Sequence, residues 1–386
     1  MRRITPIIII VCMLLSGCGS SGSIYSNYRA IEDLQLVQTL GVDGAGGHIA
    51  LTVSAGQQEG ESSPLILSRS AGTLLDAMDA VQDYSTRGEL FFSHAQYIVF
   101  GQDYAENGIA EILDFVERDV HMRLGTELFV MRTGDAGALI TGPGDAGFDI
   151  ADELAAVKRD TENRGDSHVY TFRETAAALS EYGAALICAL RSAGTQGIVF
   201  PEQSSRVAVP DGYGILRGDS LVGYLDGSSA AAASLLAGSP GTGPRSVPDG
   251  TGGAVTLEVG GSADIRAEWN PDGSPAPLKI KADLTAVVSE LETDRRTVMD
   301  DETLTALSDA LSAAVAADIR AVLRTSQALD ADFLALAGVL RRSDAKRFAA
   351  LPDTWLQTLS FDIDVETKIA HSYDLGDPVQ TEGGAA

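Results

Sequence analysis

Polar and apolar positions alternate near the amino end, in "IEDLQLVQTLGVDGAGGHIALTVSAG". The alternation breaks at Asp43-Gly44-Ala45-Gly46-Gly47 and resumes as Ile49, Leu51 and Val53. A period of two puts one row of side chains on each face of a strand, and a glycine-rich break lets the chain reverse. The spacing predicts a hairpin. The period then lengthens: "AGTLLDAMDAVQDYS" brings Leu74, Met78 and Val81 to one helix face, as "GIAEILDFVER" does with Ile109, Ile112, Leu113 and Val116. Between and after these amphipathic helices, Ala95 to Phe100 and Glu127 to Met131 are apolar and rich in β-formers. Strand, strand, helix, strand, helix, strand predicts a mixed sheet with helices laid on it.

The breakers of "TGPGDAGFD", Thr141 to Asp149, mark a first boundary. Beyond it Thr171 to Leu179 and the strand-like "AALICAL" open a second unit. There Tyr213 to Leu216 and Leu221 to Leu225 flank the turn Arg217-Gly218-Asp219-Ser220, and a short alanine-rich helix follows. Ala237 to Gly253, "AGSPGTGPRSVPDGTGG", reads as a linker with no face to pack. A third unit has strands at Ala254 to Val259, Leu278 to Leu291 and Leu359 to Ile369, the last alternating Phe361, Ile363 and Val365 with Asp362, Asp364 and Glu366. Between them Leu304, Leu307, Leu311, Val315, Ile319 and Val322 recur every three or four residues. Asp300, Asp301 and Glu302 open that run, and Arg320 and Arg324 lie near its end, as the helix dipole favours. This predicts a helix of about seven turns. Packing on its own sheet is the expected use of its narrow stripe, and a coiled-coil partner is the alternative.

The expected fold is therefore α+β, with three domains, each a mixed β-sheet carrying helices. They span 29–142, 143–240 and 250–379, behind a signal peptide at 1–17 and a leash at 18–28, with a tail at 380–386. A chain of 386 residues is long enough for two or three cores.

The amino end decides where these units work. Arg2 and Arg3 precede an apolar stretch from Ile4 to Leu15 that is interrupted only by Thr5 and Pro6. It is shorter than the roughly 20 residues of a spanning helix, and it reads as a cleaved secretory signal. Leu15-Ser16-Gly17-Cys18, which closes it, resembles the lipobox of bacterial lipoproteins. That resemblance implies cleavage before Cys18 and a diacylglycerol on its thiol; an ordinary signal with a chance cysteine is the alternative. Two acyl chains hold a protein at a membrane for long times, and Gly19 to Ser23 then serve as a flexible tether.

Charge narrows the partners. Lys plus Arg number 28 against 54 acids, a net charge of −26 spread along the chain. Such a chain repels phosphate backbones and anionic headgroups, which argues against nucleic acid and against membrane binding through a basic face. The 45% apolar and 21% charged content is that of a folded soluble body.

Candidate chemistry is sparse. Cys12, Cys18 and Cys188 form no CxxC or zinc spacing; once Cys12 leaves and Cys18 carries lipid, Cys188 is most simply a small buried residue. His48, His94, His121, His168 and His371 are scattered. Ser93-His94 lacks the GxSxG elbow that would expose a nucleophile. Asp362, Asp364 and Glu366 fall at period two, the pattern of a solvated face. The glycines after Asp43 lack the strand-to-helix spacing of a phosphate cradle. Arg-Gly-Asp-Ser occurs twice, at 164–167 and 217–220, where turn formation is the plain reading and adhesion the sharper one. Cys18 is the one site residue assigned, for lipid attachment; no catalytic, cofactor-binding or metal-ligating residue is nominated.

The order of pieces resembles the Ger(x)C family, the lipoprotein C subunits of nutrient germinant receptors in spore-forming bacteria. The most specific stretch is "LFFSHAQYIVFGQDYAENGIAEILDFVERDVHMRLGTELFVM", with its histidine before an apolar strand, a glycine, and a helix carrying Asp114-Phe115 and Arg118-Asp119. "IEDLQLVQTLGVD", "GYGILRGDSLVGYLDG" and "LPDTWLQTLSFDIDVETKIAHSYDLG" resemble the family's other signposts. Members commonly carry tryptophan after the lipidated cysteine; here Gly19-Ser20-Ser21-Gly22 stands there, with Tyr25 and Tyr28 the nearest aromatics. The resemblance implies a three-domain α+β lipoprotein on the outer face of the spore's inner membrane, working with a multispanning A subunit and a transporter-like B subunit. It supplies no catalytic residue, and direct germinant binding by this subunit is not expected. The alternatives are a lipid-anchored solute-binding protein or a hydrolase of the cell envelope.

Overall fold

A computed structural model describes residues 34–44, 47–56, 63–86, 88–119, 122–142, 148–192, 208–239, 241–248, 253–292 and 301–370. The signal, the leash with Cys18 and the tail lie outside the described residues. The described strands form two sheets.

The first sheet holds β1 (Leu34–Asp43), β2 (Ile49–Ala55), β3 (Leu65–Ala71), β4 (Glu89–Phe91), β5 (Tyr97–Phe100), β6 (Glu127–Met131), β7 (Ala184–Ser192), β8 (Ala208–Arg217) and β9 (Ser220–Leu225). Their order is β3-β2-β1-β5-β6-β7-β8-β9, with β4 beside β1. The middle strands β1, β5, β6 and β7 run parallel, and antiparallel hairpins extend the sheet at both sides. Parallel neighbours need long crossovers. α1 (Leu74–Asp83) lies between β3 and β4; α2 (Gln102–Asn107) and α3 (Ala110–Arg118) link β5 to β6; α4 (Ala136–Thr141), α5 (Ile150–Arg164) and α6 (Phe172–Tyr182) link β6 to β7.

Helices on both faces explain why the middle strands are apolar throughout. Ile98, Phe100, Leu128 and Val130 pack with α1 and α3, while Val99, Phe129 and Met131 pack with α4 and α5. Local chemistry sets the helix ends. Thr171 and Glu174 form a reciprocal capping box at the start of α6, and Gly183, at φ +69°, ends it in the left-handed region.

The second sheet has the order β10 (Gly243–Pro248), β11 (Ala254–Arg266), β12 (Leu278–Glu292), β13 (Phe361–Ala370). All its pairs are antiparallel except β12 with β13. α8 (Asp301–Leu329), α9 (Leu336–Ser343), α10 (Ala345–Phe348) and α11 (Trp355–Thr358) make that crossover. The stripe Leu307, Leu311, Val315, Ile319 and Val322 joins Ile280, Leu284 and Leu257 in one apolar cluster, so α8 packs on its own sheet. Each such side chain contributes roughly 1.5–3 kcal/mol by leaving water. α7 (Gly227–Leu236) shares that cluster with Tyr213 and Ile215 of β8, which fuses the two bodies.

Two expectations change. The described residues of 143–240 form no separate sheet: β6 pairs with β7 across the breaker cluster, because the crossover helices return the chain to the same sheet. The linker expected at Ala237 to Gly253 contains β10, whose Val247 is buried. Pro244 and Pro248 disguise it, but an edge strand tolerates proline's missing N–H.

Candidate functional site

Cys18 lies outside the described residues, and the other sequence candidates resolve into structural roles. Cys188 is fully buried, and loss of water pushes its thiol up to about 12, which leaves it inert. Ser93 and His94 sit half-buried in a single 3₁₀ turn, Phe92–His94, where His94 Nδ1 is buried without a hydrogen-bond partner. Among the described residues no third group hydrogen-bonds that imidazole as a catalytic base would require.

Asp43, beside the glycine turn, is a cap. Its Oδ1 accepts from Ala136 N at 2.7 Å and its Oδ2 from Gly137 N at 2.7 Å, at the start of α4. Burial raises its pKa, opposed by those two bonds. A Cβ at Gly101 would stand 2.0 Å from Asp43 Oδ1, so glycine there is a packing requirement. The first Arg-Gly-Asp ends α5: Gly165, at φ +62°, packs against Gly241, and Asp166 is half-buried with its pKa raised by desolvation. The second turns β8 into β9, with Arg217 Nη1 donating to Leu329 O at 2.9 Å and Asp219 O accepting from Ile109 N. Both copies brace the fold.

A groove of about 860 Å³ opens where the two bodies meet, between the end of α5, α7, β10 and β11. Ala231, Leu235, Leu284 and Val315 give it apolar walls, and Arg164 and Glu258 contribute charge. Its best-placed polar groups are already engaged. Arg245 Nη2 donates to Asp318 Oδ2 at 2.8 Å, and Ser228 Oγ donates to Asp318 Oδ1 at 2.8 Å, tying β10, α7 and α8 together. Nearby, the Tyr213 hydroxyl lies 2.7 Å from Ser234 Oγ in full burial, which holds its pKa well above the usual value. The groove has the size of a ligand pocket but pairs no nucleophile with a base.

Sequence reasoning missed Asp332. It is 4% exposed, and its carboxylate accepts from Leu336 N at 2.7 Å and Ala337 N at 2.8 Å at the start of α9; burial raises its pKa to about 7. An aspartate four residues before an apolar helical run is the signal that could have found it.

The second sheet differs on its two faces. Ile280, Ala282, Leu284, Ala286 and Val288 of β12 are buried inward, while Lys279, Lys281 and Asp283 face water. On β13, Asp362, Asp364 and Glu366 are exposed, and Phe361, Ile363 and Val365 on the core side are half-buried. Lys281 lies 3.3 Å from both Asp283 and Glu366, and its bonds to them raise its pKa. Among the described residues no group of His, Cys, Asp and Glu could hold a metal ion, and no helix is long and apolar enough to cross a membrane.

Comparison with known proteins places this architecture. The spore germination protein N-terminal domain matches residues 27–191, and the spore germination B3/GerAC-like C-terminal domain matches residues 211–373. The chain belongs to the GerAC-like family of spore germination proteins. This is the germinant-receptor C-subunit family expected from the sequence. The crystal structure of the GerBC protein is similar at TM-score 0.56 and 17% identity, covering 86% of this chain and 97% of that one, which shows a shared fold. No curated protein matches the GerAC-like chain in sequence. The split between the two family domains falls between β7 and β8, inside the first sheet.

Proposed function

We propose that the chain is the lipid-anchored, non-enzymatic docking subunit of a nutrient germinant receptor. Cys18 holds it at the outer face of the spore inner membrane, beside a multispanning A subunit and a transporter-like B subunit. The match of both halves to spore germination domains carries this reading. The lipobox-like quartet supports the anchor, and the burial of Cys188 and the Arg245–Asp318 pair beside the groove favour docking over chemistry. Residues 19–33, at about 3.5 Å each when extended, keep the body within about 50 Å of the membrane.

Pull-down from detergent-solubilised spore membranes tests the reading, with wild type and Cys18→Ala compared. The wild-type chain brings down A-type and B-type subunits and fractionates with membranes; the variant is unprocessed or released. Recovery of the wild-type chain alone, or unchanged fractionation of the variant, contradicts it. The groove favours a second reading, a solute-binding lipoprotein. Equilibrium binding of L-alanine to the purified chain separates the two: saturable binding supports the solute reading, and none returns the groove to a structural junction.

A further inference from the structure

Among the described residues β13 ends the second sheet, and nothing pairs with its outer edge. Leu278 N donates to Ser360 O, so the main-chain groups of even-numbered residues from Ser360 onward turn toward β12. Successive residues of a strand direct their main-chain groups to opposite sides. Those of Phe361, Ile363, Val365 and Thr367 therefore face outward. At Thr367 the chain fills that side itself, since Ser308 Oγ of α8 donates to Thr367 O at 2.7 Å. From Phe361 to Val365 no described residue bonds to the outer edge.

Burial shows that the apolar row at this edge is incompletely covered. The inward row of β12 is at most 9% exposed, whereas every inward residue of β13 is only half-buried. The outward row of β13 then says what can lie alongside. Asp362 and Asp364 are exposed and in no ion pair among the described residues. On its inner side β13 already accepts a strand of complementary pattern: Lys279 stands opposite Asp362 and Lys281 opposite Asp364, with Leu278 and Ile280 beneath. Opposite charges across neighbouring strands stabilise pairing, and like charges oppose it.

We propose that the Phe361–Val365 edge of β13 accepts an extended segment of a partner polypeptide in which lysine or arginine alternates with aliphatic residues, added to the sheet as a fifth strand. Main-chain bonds supply affinity in such strand addition, and alternate side chains supply specificity. A second copy of β13 would set acids against acids. The chain's own tail beyond Ala370 carries Asp374, Asp377 and Glu382 and no Lys or Arg. The proposal gives the docking reading one of its surfaces and rests on that reading for its biological meaning.

The test uses the full chain in detergent and three labelled peptides followed by fluorescence anisotropy: alternating Lys and Val, alternating Glu and Val, and the Lys–Val peptide N-methylated on alternate amides. The Lys–Val peptide binds saturably. The other two bind at least about tenfold more weakly, ~1.4 kcal/mol. Asp362→Asn with Asp364→Asn, which keeps the shape of both exposed side chains and sets no like charge against Lys279 or Lys281, abolishes the preference for the Lys–Val over the Glu–Val peptide. Equal binding of the N-methylated peptide would mean diffuse attraction to an acidic chain, and absence of Lys–Val binding would mean that the acids only keep the edge apart from other edges; either overturns the proposal. Failure of the membrane pull-down with peptide binding intact would count against the docking reading and not against this edge.

Discussion

The two sheets are built from the same kinds of element but leave different things exposed. β5 and β6 are roofed by helices on both faces, so Ile98, Val99, Phe100, Leu128, Phe129 and Val130 all reach 0% exposure. β12 and β13 are roofed on one face, and they turn Lys279, Lys281, Asp362, Asp364 and Glu366 to water. A strand enclosed on both faces has spent its side chains and main chain inside the fold. A strand with one wet face and an open edge still has both to offer. The first body thus encloses its strands, and the second keeps charged and main-chain groups at its surface.

The sharpest way to break this contrast is a matched pair of truncations. Phe129→Ala empties a site covered from both sides and should cost about 3–5 kcal/mol, whereas Val365→Ala, half-buried on β13, should cost about 1 kcal/mol or less. Urea denaturation of both variants reads the difference. Equal losses would mean that β13 is as enclosed as β6.

The pattern of positions revealed most of this architecture, because it reports burial directly. β1, β2, β5, β6, β11, β12, β13 and the long helix all sit where the spacing predicts. What stayed hidden had no period to show. β10 is held by main-chain pairing along a proline-bearing edge, and α5 carries a weaker apolar stripe within a polar stretch. The single first sheet was obscured by breakers at Thr141 to Asp149 that open a crossover, not a boundary between sheets. At the level of sites, Asp43 and Asp332 cap helices that follow far along the chain or beyond a turn, and such pairings are set by tertiary structure. Cys188 and the two Arg-Gly-Asp copies read as structural, for reasons of burial and turn formation that the contacts bear out.

The two capping aspartates sharpen the comparison through pH. Asp332 has its pKa raised by burial to about 7 from 3.8, and Asp43 is raised for the same reason. A raised carboxyl pKa means that the folded chain holds its proton longer than the unfolded chain does. The associated stability is fully present below the ordinary carboxylate range and is lost as pH climbs through the folded value. For Asp332 the loss falls between about pH 4 and pH 7 and amounts to at most about 4 kcal/mol. Asp332→Asn removes the ionisation and should flatten the pH profile of the unfolding midpoint over that window, after an overall drop of about 1 kcal/mol for the weakened cap. A variant profile parallel to wild type would show that Asp332 ionises in the fold as freely as in water.

The smallest effect in energy is the most direct in meaning, and it lies in the main chain of β13. Hydrogen–deuterium exchange should be followed at single-amide resolution in the free chain and in the chain purified with the proposed A-type and B-type subunits. The account predicts that the free chain exchanges rapidly at Phe361, Ile363 and Val365 and slowly at Asp362 and Asp364, and that assembly protects the first three while β5 and β6 stay unchanged. Unaltered exchange along Phe361–Val365 in the assembled complex would contradict it.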